Sequence, residues 1–274
     1  MRAEEWLRQR NLEEALRELE NQVRQEPANP KLRIFLFQLL AVMGQWDRAS
    51  TQLDAAAQLD QGNLLLAAMY RPALQARQER DEVLAGKRTP TVVGEPQEWM
   101  AWMIQALQLQ AEGRCRQAAE LRSQAFEAAP AVPGTVNDVP FEWLADADGR
   151  FGPILEAIIN GRYCWVPFQR LRELRVEAPE DLRDMVWATA HVIWENGGEA
   201  MAFIPTRYAN SESSPDASVR LARKTEWVNQ GEECYVGLGQ RILVTDAGEY
   251  PLLDVRRIVM GAGPPGGAEE AAHA

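Results

Sequence analysis

The sequence predicts an α+β protein: an N-terminal tetratricopeptide-like helical repeat domain, followed by a smaller mixed α/β, strand-rich domain. Three observations predict it. Apolar residues in the first quarter of the chain recur 34 residues apart. A similar helical pattern returns ahead of Pro130. Beyond Pro130 the chain turns rich in Pro, Gly and Asp, and then in short β-branched and aromatic runs.

The helical reading is clearest over Pro30–Asp60. Leu32, Leu36, Leu39, Leu40 and Met43 recur at three- and four-residue steps, which places them on one helical face. Gly44 supplies a turn, and Trp46, Ala49, Leu53 and Ala56 then form a second face that can close on the first. Leu12 and Trp46, Ala15 and Ala49, and Leu19 and Leu53 are each separated by 34 positions, the period of a tetratricopeptide unit. Such a unit buries its apolar face only by stacking on a neighbour. A further copy follows: Ala118 precedes Pro130 as Ala15 precedes Pro27, and Trp102, Ala106 and Leu109 form an apolar face that Gly113 ends. The stretch between, Asn63–Pro96, is expected to be a degenerate unit interrupted by Pro72. An unrelated helical bundle is the alternative.

Residues 131–160 read as a linker with turns and a short helix over Ile154–Ile159. The DADGRFG stretch within them lacks the later ligands and closing Glu of a calcium loop. From residue 161 to 261 the runs RYCWVPF, MVWATAHVIW, GEAMAFIPTRY, EECYVGLGQRILVTD and PLLDVRRIVM predict strands, with one helix over Ala178–Asp184. The middle of the polar stretch Arg207–Val228 is expected to be an exposed loop, and residues 262–274, which lack large apolar side chains, a disordered tail. The N-terminal domain is therefore expected to span residues 1–130.

Composition narrows the function. A net charge of −11 argues against nucleic-acid binding, and no apolar run approaches the ~20 residues of a membrane span. Without a signal-peptide core at its N-terminus, the chain is expected to be cytoplasmic. Cys115, Cys164 and Cys234 show neither a disulfide framework nor a metal pattern. The two histidines are His191 and His273. His191 lies in an apolar run and reads as a core residue, and Cys164 and Cys234 as small core side chains. The GLGQR segment has no third glycine and no following helix, so it reads as a turn between strands rather than a phosphate loop. No metal, cofactor or catalytic constellation is predicted.

A helical repeat array presents a concave groove into which a partner helix can lay its apolar face. In that register the groove candidates are Arg33, Ile34, Phe37, Gln38, Ala41 and Tyr70. Phe37 falls off the Leu32/Leu36/Leu39/Met43 seam, so it is either an exposed anchor or packing against the next repeat.

The blocks LFQLLAVMGQWDRA and GRYCWVPFQRL, with PEDLRDMVWATA, MAFIPTRYANS, LARKTEW and YVGLGQRILV, resemble the ImpE/TagJ (SciE) family of type VI secretion accessory proteins, from about Leu12 to Met260. The resemblance implies a non-catalytic cytoplasmic protein that binds a helix of the small contractile-sheath subunit (TssB), with a role in sheath recycling by the ClpV ATPase. The matching C-terminal blocks also hold Arg162, Trp165, Arg207, Tyr208, Arg223 and Trp227, with Arg220 directly before LARKTEW. These basic and aromatic residues form either an ion-pair network, with acids such as Asp181, Asp184 and Glu226, or a pocket for an acidic partner or small ligand. An enzyme or ligand-binding protein using that pocket is the alternative function.

Overall fold

A computed structural model describes residues 2–231 and 234–261. The chain opens with α1 (Arg2–Arg8), α2 (Leu12–Gln25), α3 (Pro30–Val42), α4 (Trp46–Leu59) and α5 (Leu64–Leu84). A two-residue strand, β1 (Thr91–Val92), precedes α6 (Glu98–Ala111) and α7 (Cys115–Ala128). Local chemistry sets the starts. The Asn11 side chain accepts from the Glu14 N–H at 3.1 Å. Asn29 caps α3 by accepting from Lys31 and Leu32, with Pro30 placed where its missing N–H costs nothing.

The repeat period outlasts the repeats themselves. Helices α3, α5 and α6 begin at Pro30, Leu64 and Glu98, 34 residues apart each time. In the units before and after, Gly44 and Gly113 take φ of 71° and 78° and turn the chain back. The positions 34 residues after Gly44 and 34 before Gly113 are Gln78 and Glu79, and α5 runs straight through both to Leu84. A residue with a Cβ pays to enter the left-handed region, so the helix continues. The chain then leaves as β1 and joins the sheet in place of a second helix.

That sheet is built from β2 (Gly134–Val136), β3 (Val139–Phe141), β5 (Ile154–Ile159), β6 (Arg162–Pro167), β7 (Leu171–Val176), β8 (Trp187–Trp194), β9 (Glu199–Pro205) and β14 (Arg257–Met260), with β4 (Leu144–Asp146) lying outside it. Its order is β1-β6-β5-β9-β8-β7-β14-β2-β3. Only the β1–β6 pair, Thr91 opposite Cys164, is parallel within it. Strand β4 instead pairs with β12 (Ile242–Thr245), which also pairs with β13 (Glu249–Pro251). A hairpin of β10 (Thr225–Asn229) and β11 (Tyr235–Gly239) follows the short α8 (Ala217–Arg220).

Both faces of the sheet are covered. Ile154, Ile158, Tyr163, Trp165 and Phe203 share a core with the helices. Leu155, Ala157, Cys164 and Val166 point the other way, into a core completed by Leu243, Leu252, Val255 and Ile258.

Several expectations are corrected. Residues 131–160 are no linker, because β2 to β5 fall within them. Ile154–Ile159 is a strand, not a helix. All six of its residues are buried, so no alternation marks it, and an apolar run this short fits either element. The helix expected over Ala178–Asp184 is a 3-10 turn at Leu182–Met185, closed by a capping box between Asp181 and Asp184. The polar stretch after Arg207 is not an exposed loop. Ser211, Ser214, Ser218, Val219 and Leu221 are buried, and Arg10 donates to the Ser218 hydroxyl at 2.9 Å. The predicted tail, residues 262–274, lies outside the described residues.

Candidate partner-binding site

The concave face of the helical array is filled by the protein's own sheet. Tyr70 of α5 packs on Phe37 of α3 at 5.9 Å between ring centroids, on Trp187 of β8 at 5.9 Å and on Phe203 of β9 at 4.7 Å. Trp46 adds a contact to Trp187 at 5.9 Å. Phe37 and Ala41 have no exposed surface, and burial pushes the Tyr70 phenol up to about 12. Phe37 is therefore packing rather than an exposed anchor, and Ala41 and Tyr70 are equally inaccessible. Arg33 and Ile34 are half-buried; Arg33 donates to Gln52 at 2.8 Å and to the Pro27 carbonyl at 3.0 Å.

One end of this face stays open. A cleft of about 550 Å³ lies between α1, α3 and the 3-10 turn. Leu7, Phe35, Leu182, Met185 and Leu221 give it an apolar floor, with Glu4, Arg8, Glu180 and Asp181 around it. Gln38 and Arg223, predicted for two different sites, meet here.

The remaining basic and aromatic candidates do not converge on a surface pocket. Arg162, Arg223 and Trp227 are exposed, and Arg220 pairs with Glu13 of α2 at 2.8 Å. Arg207 is buried and donates to the Val42 carbonyl at 2.9 Å and to that of Arg220. Burial brings its guanidinium down to about 10. The cavity beside Arg207 and Tyr208 is about 30 Å³, room for little more than water.

Trp165 and Tyr208 instead belong to a buried ion network that the sequence did not reveal. Arg241, fully enclosed, donates to Asp146 and Glu156 and, at 3.0 Å, to the Pro205 carbonyl. Arg80 of α5 forks onto Glu156 at 2.8 and 2.7 Å. Tyr163 donates to Glu156 and accepts from the Trp165 indole at 2.8 Å, while Tyr208 donates to Asp146 at 2.9 Å. Asp148 holds Arg150 through two oxygens and accepts from the Gly237 N–H at 2.8 Å. The acids of the calcium-like DADGR stretch are thus occupied by arginines. Three carboxylates face three guanidiniums, the balance a buried network requires. Two arginines hold the Glu156 carboxyl down to about 2 against its burial. Asp146 rises to about 6, because burial and the neighbouring Asp148 outweigh Arg241. The acids expected as partners serve elsewhere: Asp181 and Asp184 cap the 3-10 turn, and Glu226 pairs with Lys224 at 2.6 Å.

His191 is a correction as well. It is partly exposed on β8, with its Nε2 3.1 Å from Glu199, rather than enclosed in the core. The three cysteines are buried, and none forms a disulfide. Among the described residues, no group of three or more His, Cys, Asp or Glu could hold a metal ion, and no helix is long and apolar enough to cross a membrane.

Helical hairpins set on a 34-residue period and closed by a mainly antiparallel sheet define the class: a tetratricopeptide-like array fused to a strand-rich domain. The tetratricopeptide repeat model matches residues 7–77, and the ImpE protein model residues 138–259. The type VI secretion system accessory component TagJ of Pseudomonas aeruginosa is 52% identical over 258 residues, covering 94% of this chain and 90% of that protein. The chain belongs to the ImpE/TagJ family of type VI secretion accessory proteins. The crystal structure of VPA1032 from Vibrio parahaemolyticus shares the fold, with a TM-score of 0.84, 24% identity, and coverage of 95% of this chain and 97% of that one.

Proposed function

We propose that the chain is a non-catalytic adaptor of a type VI secretion system that holds a helix of the small contractile-sheath subunit, TssB, in the cleft between α1, α3 and the 3-10 turn. Through that contact it modulates sheath assembly or ClpV-dependent disassembly in the cytoplasm. The observation that carries this reading is the cleft itself. An apolar floor from Leu7, Phe35 and Met185, with charged residues of both signs around it, suits the two faces of an amphipathic helix. Membership of the ImpE/TagJ family supports the wider role.

The test is fluorescence anisotropy of the full chain titrated into labelled peptides covering the helices of the sheath subunit. One peptide is expected to bind, and Leu7→Asp, at a half-buried position, to weaken it at least about tenfold with unchanged circular dichroism. Absence of binding by every peptide refutes the reading, and binding unaffected by Leu7→Asp refutes the cleft.

A further inference from the structure

Away from the cleft, the last helical hairpin and the sheet enclose a larger groove of about 630 Å³. Trp99 and Phe168 are buried in its lining, while Phe126, Trp143 and Trp227 are exposed by 41%, 41% and 42%. Large aromatics are costly to leave in water, and a contiguous group of them marks an interaction surface.

Two of the three exposed rings are held by close backing. Phe126 of α7 lies over Gly152, where a Cβ would come within 2.3 Å of its ring. Trp227 of β10 rests on Tyr208 at 5.7 Å between centroids. Tyr208 in turn covers Gly237, where a Cβ would meet its ring at 2.3 Å, and is tied through its hydroxyl to Asp146. The end of β10 is tied down as well: Gln230, the next residue, accepts from Gln110 of α6 at 2.9 Å. Rigid aromatic anchors lose little entropy on binding, which is what concentrates binding energy at protein interfaces.

Acids outnumber bases around the groove: of the arginines that adjoin its lining in sequence, Arg150 is held by Asp148 and Arg170 lies 3.8 Å from Glu195. Among the described residues its lining has two ionisable side chains: Glu249, which is exposed, and Asp146, which is enclosed and bound to Arg241. Glu127 and Glu142, both exposed, adjoin Phe126 and Trp143 in sequence, and the exposed Asp246 accepts from the Glu142 N–H at 2.8 Å. Arg122 is buried and donates to Gln110. An anionic membrane surface would be repelled by this rim, whereas lysine or arginine gains both from the acids and from the indole faces.

We infer that this groove is a second docking site, for a protein segment that presents bulky apolar side chains flanked by lysine or arginine. It is separate from the cleft assigned to the sheath helix and does not rest on that assignment.

The test uses the full chain and two synthetic 18-residue amphipathic peptides, one of leucine and lysine, the other of leucine and glutamate. Binding is followed by tryptophan emission and by anisotropy of the labelled peptide. The lysine peptide is expected to bind and the glutamate peptide to bind at least about tenfold more weakly. Trp143→Ala and Trp227→Ala, both at exposed positions, should each weaken the lysine peptide about tenfold or more. Glu249→Lys should narrow the preference between the peptides. Leu7→Asp, in the cleft, should leave binding as in the unaltered protein. Failure of the lysine peptide to bind, equal binding of both peptides, indifference to the tryptophan substitutions, or loss with Leu7→Asp would each overturn the assignment.

Discussion

Replacing Arg241 with methionine keeps much of an apolar stem while removing a guanidinium that bridges Asp146 and Glu156. Glu156 would keep Arg80 and Tyr163, and Asp146 would keep the Tyr208 hydroxyl and the Asp148 N–H. Three buried carboxylates would then face two arginines, leaving one negative charge uncompensated where Arg241, Asp146 and Glu156 have no solvent exposure in their side chains. Removing one partner of such a group costs about 3–5 kcal/mol, a large share of the roughly 5–15 kcal/mol that holds a protein folded. At about 2–4 °C per kcal/mol for a chain of this size, Tm should fall by roughly 6–20 °C. The deficit should also depend on pH. Asp146 already titrates near 6, with burial raising it and Arg241 opposing the rise, so loss of Arg241 drives it further up. An acid raised in the folded state favours folding at low pH, and that advantage is lost as pH rises through its folded value. The deficit should therefore be smaller at pH 5 than at pH 8. Thermal melting measures the fall in Tm, and urea unfolding followed by circular dichroism at pH 5 and pH 8 measures the deficit. A loss below about 1 kcal/mol, or a deficit constant from pH 5 to 8, would refute the account of a charge-balanced network.

Two further outcomes follow from the aromatic seam between helices and sheet. Tyr70→Ala should cost about 3–5 kcal/mol by emptying the space between Phe37, Trp187 and Phe203, whereas Tyr70→Phe, which loses only a hydroxyl hydrogen-bonded to Thr189, should cost about 1 kcal/mol, both read by urea unfolding. Residues 1–130 produced alone should bind a hydrophobic dye and elute as aggregates on gel filtration, because Tyr70 and Trp46 would lose the cover of Trp187 and Phe203; a monomer without dye binding would show that the array stands without the sheet.

What the sequence made legible was local. The 34-residue period, the turns at Gly44 and Gly113 and the seam of α3 depend on residues near one another, and the structure keeps them. The recognition blocks were legible for a similar reason, being continuous. What escaped needed the third dimension. Phe37 could be set off its helix's own seam and offered to the next repeat, where Tyr70 meets it, but the sheet residues Trp187 and Phe203 behind Tyr70 could not be foreseen. The ion network draws Arg80, Asp146, Glu156 and Arg241 from four separate segments. One signal was available: Glu156 stands alone in ILEAII, and Arg241 borders the apolar run ILV. A single charge in so apolar a run calls for a distant partner of opposite sign. The cleft was half visible, since Gln38 and Arg223 were both named, though for different surfaces.

An open solenoid is a spring: each unit touches only its neighbours, so the stack can flex and melt piece by piece. The sheet lodged in this concave face removes that compliance. Phe37 from one unit and Tyr70 from the next are gathered into one aromatic cluster with Trp187 and Phe203, so the pitch of the array is clamped. The cleft and the aromatic groove are thereby kept at a fixed spacing and angle. Two partners seated on them would be set apart by a stiff gauge rather than a tether, and a pull on one would pass undamped to the other.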